Sequence, residues 1–344
     1  MTRPLGPRFV LTLGLVLLLT SALAQGLPDA LAQAEARSGV VTARLDLEDA
    51  RTTQARTNAD PTALRLDDVQ AAQGVALAEA ELRAARYAAY EEIAGAYLQV
   101  LEATAQANLA REAVALSEQA LDIARIRRDR GAATDLDVRD AENDLASARS
   151  DLTAAEQGAA LAQDAYASLV NLPTDALTPV SDDLLDVPTP SMDDLTRRLE
   201  EAPNLLRAVH GVELARIAVD LLDPSYAAQR DIDAAELQVT QAETSLTEAR
   251  RGLALNAQSL LDGVERARET LTVASQALDN ARERDDVDAS RLAAGLIADV
   301  AYQRTRLATL QAELAVLQAR HGVLRALLAL QQGTGVAIEG LDAF

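Results

Sequence analysis

The sequence of 344 residues contains no cysteine and no tryptophan, and only two histidines and two phenylalanines. Without cysteine there can be no disulfide, no thiolate metal ligand and no cysteine-linked lipid. Two isolated histidines are too few for a histidine metal centre. His321 falls on an apolar helical stripe, where a packed histidine is expected, and His210 stands beside Gly211 with no clustered partner. No catalytic, cofactor or metal site is therefore expected. Lysine is also missing: all 32 basic residues are arginines, set against 53 acidic residues for a net charge of −21. So acidic a chain is a poor ligand for nucleic acid, whose phosphates call for basic side chains. Aromatics make up 2% of the residues although 49% are hydrophobic. Packing must then fall to Ala and Leu, which with Glu, Gln and Arg are the strongest helix formers. The composition points to long, closely packed helices.

What is present is ordered along the chain. Arg3 and Arg8 precede an apolar run, Phe9–Leu19, and Ala22-Leu23-Ala24 follows it. This is the pattern of a cleaved export signal over residues 1–24, with Gln25 as the first mature residue. Loss of Arg3 and Arg8 would take the net charge from −21 to −23. The apolar run falls short of the roughly 20 residues that span a bilayer, and no later stretch is apolar enough to do so. A Pro-rich linker, residues 171–203, separates two halves of similar design, 25–170 and 204–333, with a tail at 334–344.

Each half reads as a short helix, an Asp-Pro break, a long helix, a Gly turn and a return helix. In the first half these fall at Pro28–Arg56, Asn58–Pro61, Asp67–Arg128, Arg130–Asp135 and Leu136–Val170; in the second, at Leu205–Leu222, Asp223–Ser225, Tyr226–Arg284, residues 285–295 and a helix ending near Gln332. The series Val138, Ala141, Leu145, Ala148, Leu152 alternates gaps of three and four, a heptad seam, and Leu307, Leu310, Leu314, Leu317, His321, Leu324, Leu328 repeats it in the last helix. A long helix of about 60 residues extends roughly 90 Å. The fold class is all-α: two tandem repeats of long antiparallel coiled-coil hairpins.

The hairpin turns hold the most distinctive residues. The first reads Gly131-Ala132-Ala133-Thr134-Asp135-Leu136-Asp137-Val138 and the second Gly295-Leu296-Ile297-Ala298-Asp299-Val300. A glycine can end one helix in the left-handed conformation, and a Thr or Asp can cap the next. With the leader, the tandem repeats, Asn171-Leu172-Pro173 and Ala202-Pro203-Asn204-Leu205, these turns resemble the TolC-like outer-membrane factor family over about residues 27–333. The first turn has the family's Gly-to-Asp spacing; the second is two residues shorter.

The resemblance implies a homotrimer whose six hairpins close into a hollow α-barrel crossing the periplasm. Its tips would meet a periplasmic adaptor protein and an inner-membrane pump. Gly131, Asp135, Asp137, Val138, Gly295, Asp299 and Val300 would form the adaptor-facing tip. Asp299 matches an aspartate that narrows the pore in the family, with Asp137 as its counterpart in the first repeat. Crowded around a threefold axis, one or more of these carboxyls would titrate upwards. The family also carries a membrane β-hairpin between the short and long helices of each repeat. A membrane strand needs about 9–11 residues, and neither Asn58–Leu64 nor Asp223–Tyr226 leaves room for one. The resemblance thus implies an exported efflux duct without its barrel hairpins. A coiled-coil spacer of the cell envelope with no transport role is the alternative.

Overall fold

The computed structural model describes residues 26–170, 177–181, 184, 187–223, 225–339 and 341. The leader and the Asn171-Leu172-Pro173 motif lie outside the described residues. Among the described residues there are eight α-helices: α1 Leu27–Leu31, α2 Ser38–Ala59, α3 Arg65–Asp129, α4 Asp135–Leu169, α5 Met192–Arg198, α6 Pro203–Asp220, α7 Gln229–Ala293 and α8 Asp299–Thr334. They include no β-strand.

The heptad seams decide the packing. Every seam position named above on α4 and α8 is buried or half-buried. Helix α3 pairs with α4 and α7 with α8, while α8 also lies along α3. The long helices therefore form one layer in the order α4, α3, α8, α7. Helix α2 packs on α3, and α6 bridges α7 and α3. The first expected short helix is instead broken: a 3-10 turn spans Ala32–Ala36, and Arg37 is extended before α2 begins. Arg37 there reaches Glu92 of α3 at 2.9 Å.

Two helix ends also differ from expectation. Helix α7 continues nine residues past Arg284, to Ala293. The acidic run Asp285-Asp286-Val287-Asp288 resembles a turn in composition but has no Gly or Pro to break a helix. Helix α8 passes through Gly333 and stops at Gly335, whose φ of 68° is the left-handed stop. Gly333 instead allows close approach, since a Cβ there would stand 2.6 Å from Leu260 Cδ1.

Described residues of the segment between the repeats and of the chain after α8 pack into the core of the long helices. Leu184, Val187, Leu195, Leu199, Val336, Ile338 and Leu341 are all buried in one core with Tyr97 and Tyr166. The two tyrosine rings meet edge to face, with centroids 5.8 Å apart, and the Tyr97 hydroxyl donates to the Thr178 carbonyl at 2.5 Å. Burial pushes the Tyr166 phenol up to about 12. Between α2 and α3 the chain needs only residues 60–64, with Asp60 Oδ1 accepting from the Thr62 N–H at 2.8 Å. Between α6 and α7 it uses residues 221–228, with Asp223 Oδ1 accepting from the Ser225 N–H at 2.8 Å. Both positions where barrel hairpins would enter are short turns.

Candidate functional site

The two hairpins are built in the same register. Arg65 and Gln229 open the long helices, Asp129 and Ala293 close them, Gly131 and Gly295 form the turns, and Asp135 and Asp299 open the return helices, each pair 164 positions apart. Both glycines have φ of 72°. The turn hydrogen bonds match as well: Gly131 N–H to Arg128 O and Gly295 N–H to Leu292 O are both 2.9 Å, and Ala132 N–H to Arg127 O and Leu296 N–H to Arg291 O are both 2.8 Å. The second turn is therefore not the shorter one. The structure pairs Asp299 with Asp135, both first residues of their helices, and not with Asp137. Val300 correspondingly pairs with Leu136.

The carboxyl of Asp137 is already engaged. It accepts from the Thr134 N–H at 2.6 Å and from the Thr134 hydroxyl at 2.8 Å, while the Asp137 N–H donates to Thr134 Oγ1 at 3.2 Å. This is a reciprocal cap on α4. The backbone bond first, then the hydroxyl, hold the Asp137 carboxyl below the usual carboxylate range. In the single chain that direction is opposite to the rise expected at a crowded pore mouth. At the second tip Ala298 occupies the capping position and offers no side-chain acceptor. Asp299 is exposed at the start of α8, where an acidic residue suits the helix N-terminus. Val138 is buried in the α3–α4 seam, whereas Gly131, Asp135, Asp137, Gly295 and Asp299 are exposed and Val300 is half-buried. The outermost apolar side chains are Leu136, 60% exposed, and Leu296, 75% exposed.

Behind the turns the hairpins diverge. In the first, Leu121, Val138 and Leu145 form a buried apolar cluster. The positions 164 residues on are Asp285, Tyr302 and Thr309. Asp285 Oδ1 is buried with no protein partner, and the Thr309 hydroxyl donates to Ala281 O at 3.3 Å. The Thr305 hydroxyl donates to Asp288 Oδ2 at 2.7 Å. That bond, followed by the pairing with Arg291, outweighs the desolvation of Asp288 and holds its carboxyl low. Sequence reasoning missed this polar seam, because it ended α7 before Asp285. Neither histidine builds a site. His321 is 2% exposed and bonded to Glu102. His210 is half-buried, and its desolvation, opposed by Glu213, lowers its proton affinity. No cluster of His, Cys, Asp and Glu able to hold a metal occurs among the described residues.

Residues 63–172, which are α3, the first tip and α4, match the outer membrane efflux protein family. The match takes in the first hairpin and stops before the second. The fold is that of TolC-like channels across nearly the whole chain. A membrane protein from Pseudomonas aeruginosa superposes with a TM-score of 0.63 at 18% identity, over 90% of this chain and 93% of that one. VceC, an outer membrane protein from Vibrio cholerae, gives 0.62 at 16% identity over 91% and 97%. The MtrE outer membrane channel of Neisseria gonorrhoeae gives 0.61 at 17% over 90% and 88%. No curated protein matches the sequence. The family match thus falls on the first hairpin, and the second hairpin repeats its register at a displacement of 164 positions. No helix among the described residues is long and apolar enough to cross a membrane.

Proposed function

We propose that the protein is the periplasmic duct of a tripartite efflux or secretion system, passing small molecules or proteins through a trimeric α-helical channel. The observation that carries this reading is the duplicated hairpin. Two helices of 65 residues each, roughly 100 Å long at 1.5 Å per residue, lie in one layer whose outer helices, α4 and α7, meet no further long helix on their far sides among the described residues. A layer with two free edges closes by meeting copies of itself. Three copies give twelve helices around a lumen, which supports a conduit. The chain is exported and works in the envelope at the outer membrane, with its tips against a periplasmic adaptor and, through it, an inner-membrane pump.

Within this reading, Gly131, Asp135, Asp137, Val138, Gly295, Asp299 and Val300 make up the adaptor-facing tip. Asp299 is the constricting carboxylate. Asp137 serves mainly to cap α4, since its oxygens are bonded to Thr134. Deleting the gene and measuring export of toxic compounds tests the assignment: raised sensitivity that the native chain reverses supports a duct, and unchanged sensitivity with altered envelope spacing supports the spacer. The spacer reading draws on the turn-only junctions, which leave no strands there to open a path through the outer membrane.

A further inference from the structure

One stripe of leucines on α8 has two fates. Leu324, Leu327 and Leu328 are at most 4% exposed and share a core with Ile93, Ala94 and Leu98 of α3. On the tip side of His321 the stripe continues through Leu317, Leu314 and Leu310, and all three are only half-buried. The two helices run antiparallel, with Glu102 of α3 at 2.8 Å from His321, so these leucines face the stretch of α3 that follows Glu102. There α3 offers Ala105 and Asn108 in place of Leu98 and Ile93. Small and polar side chains do not close over leucine, and a trough of about 330 Å³ is left between the helices. An adjoining cavity of about 470 Å³ extends it toward the segment between the repeats, where Leu101 and Pro179 line it.

Three charged groups stand on the rim of the trough. Glu313 pairs with Arg282 at 3.3 Å. Glu112 of α3 and Arg306 of α8 also line it, and neither is in an ion pair among the described residues. Two carboxylates against one guanidinium, on a chain of net charge −21, make the rim attract cations. On α3 the lining runs from Ala105 to Glu112, roughly 10 Å of helix at 1.5 Å per residue. The volume then corresponds to a section of roughly 30 Å², which admits one alkyl chain and is well below that of a helix about 10–12 Å across.

We propose that this trough is a binding site for a linear amphiphilic cation, with its alkyl chain on Leu310, Leu314 and Leu317 and its head beside Glu112. An apolar floor with a few placed polar groups is the usual build of a small-ligand site. Covering the half-exposed leucines supplies affinity that grows with each methylene of the chain. The free Glu112 carboxylate selects the sign of the head, and Arg306 opposes it. The site lies within one chain and does not depend on how copies assemble.

The test is calorimetric titration of the exported full chain with decyltrimethylammonium below its micelle concentration, with circular dichroism to show that the helices persist. The expected result is saturable binding of one molecule per chain, at least about tenfold tighter than hexyltrimethylammonium. Glu112→Gln should weaken binding by about threefold, and Arg306→Gln should tighten it by a similar factor. Ala105→Leu, which fills the trough without removing a packed side chain, should weaken it at least about tenfold. Leu161→Gln, at an exposed leucine of α4, should leave it unchanged. Decyl sulfate binding as tightly as the cation would overturn the choice of charge. Native affinity in both Glu112→Gln and Ala105→Leu would place the ligand elsewhere and overturn the site. If an amphipathic Leu-Lys helical peptide binds and the cation does not, the trough is a helix groove and the proposal fails; it fails equally if neither binds.

Discussion

Glu102 and His321 lie 219 residues apart in sequence and join the two hairpins through a 2.8 Å contact between Oε1 and Nδ1. Arg325 donates to the same oxygen at 2.7 Å. Burial pushes the Glu102 carboxyl up, but the His321 hydrogen bond and the Arg325 charge outweigh it, and the group sits below the ordinary range. A carboxyl with a lowered folded-state pKa stabilises above its unfolded value and loses that contribution as pH falls through the folded value. Thermal stability should therefore drop on acidification below about pH 4, and by less in Glu102→Gln. Because Glu102 is only partly buried, Glu102→Ala should cost about 1–2 kcal/mol at neutral pH, well short of a fully buried pair. Melting curves from pH 3 to 7 on both variants check this; parallel curves for native and Glu102→Gln would contradict it.

The two tips differ in capping although their turns match. Thr134→Ala removes the side-chain cap of α4 and should cost about 0.5–2 kcal/mol. Ala298→Thr gives the second turn the acceptor it lacks and should stabilise by up to about 1 kcal/mol. Denaturant titration of the two single variants should show opposite signs; the same sign in both would mean that the caps are not what distinguishes the tips.

The polar seam behind the second tip predicts a third asymmetry. Asp285→Leu replaces a carboxylate whose Oδ1 is buried without a partner by the residue found at the matching Leu121. It should stabilise the second hairpin by about 1–3 kcal/mol, whereas Leu121→Asp should destabilise the first by at least as much. Hydrogen exchange resolved along α7 and α8 reports where the change falls. Slower exchange near the second tip in Asp285→Leu is the expected outcome.

Much of this was legible in the sequence, for identifiable reasons. Heptad gaps from Val138 to Leu152 and from Leu307 to Leu328 fixed which faces are buried, because side-chain burial follows helical period. The all-α class and the resemblance to TolC-like proteins followed from those seams and the two turns. The end of α7 is hard to read from the sequence, because Asp285-Asp286 resembles a turn in composition while the left-handed stop stands further on, at Gly295. That resemblance hides the polar seam and misaligns Asp299 with Asp137. The 164-residue displacement of the two turn glycines is the signal that corrects it. The role of Gly333 could not be read at all, since it depends on Leu260 of another helix.

The tip aspartates separate pore from cap. Asp299→Ala should change cation preference in reconstituted assemblies with little effect on melting, because its carboxyl is exposed and Ala is a good helix former. Asp137→Ala should lower the melting temperature by loss of the Thr134 cap and change conductance less. Planar-bilayer recordings paired with melting curves decide between them. Unchanged ion selectivity in Asp299→Ala would remove the constriction from that residue.

Cryo-microscopy of the purified assembly tests the central claim most directly. The account predicts a closed ring of three chains, twelve long helices around a continuous lumen, with α4 of each copy against α7 of the next and Asp299 at the narrow end. A solid helical bundle, or a dimer with no lumen, would contradict the duct and leave a coiled-coil spacer.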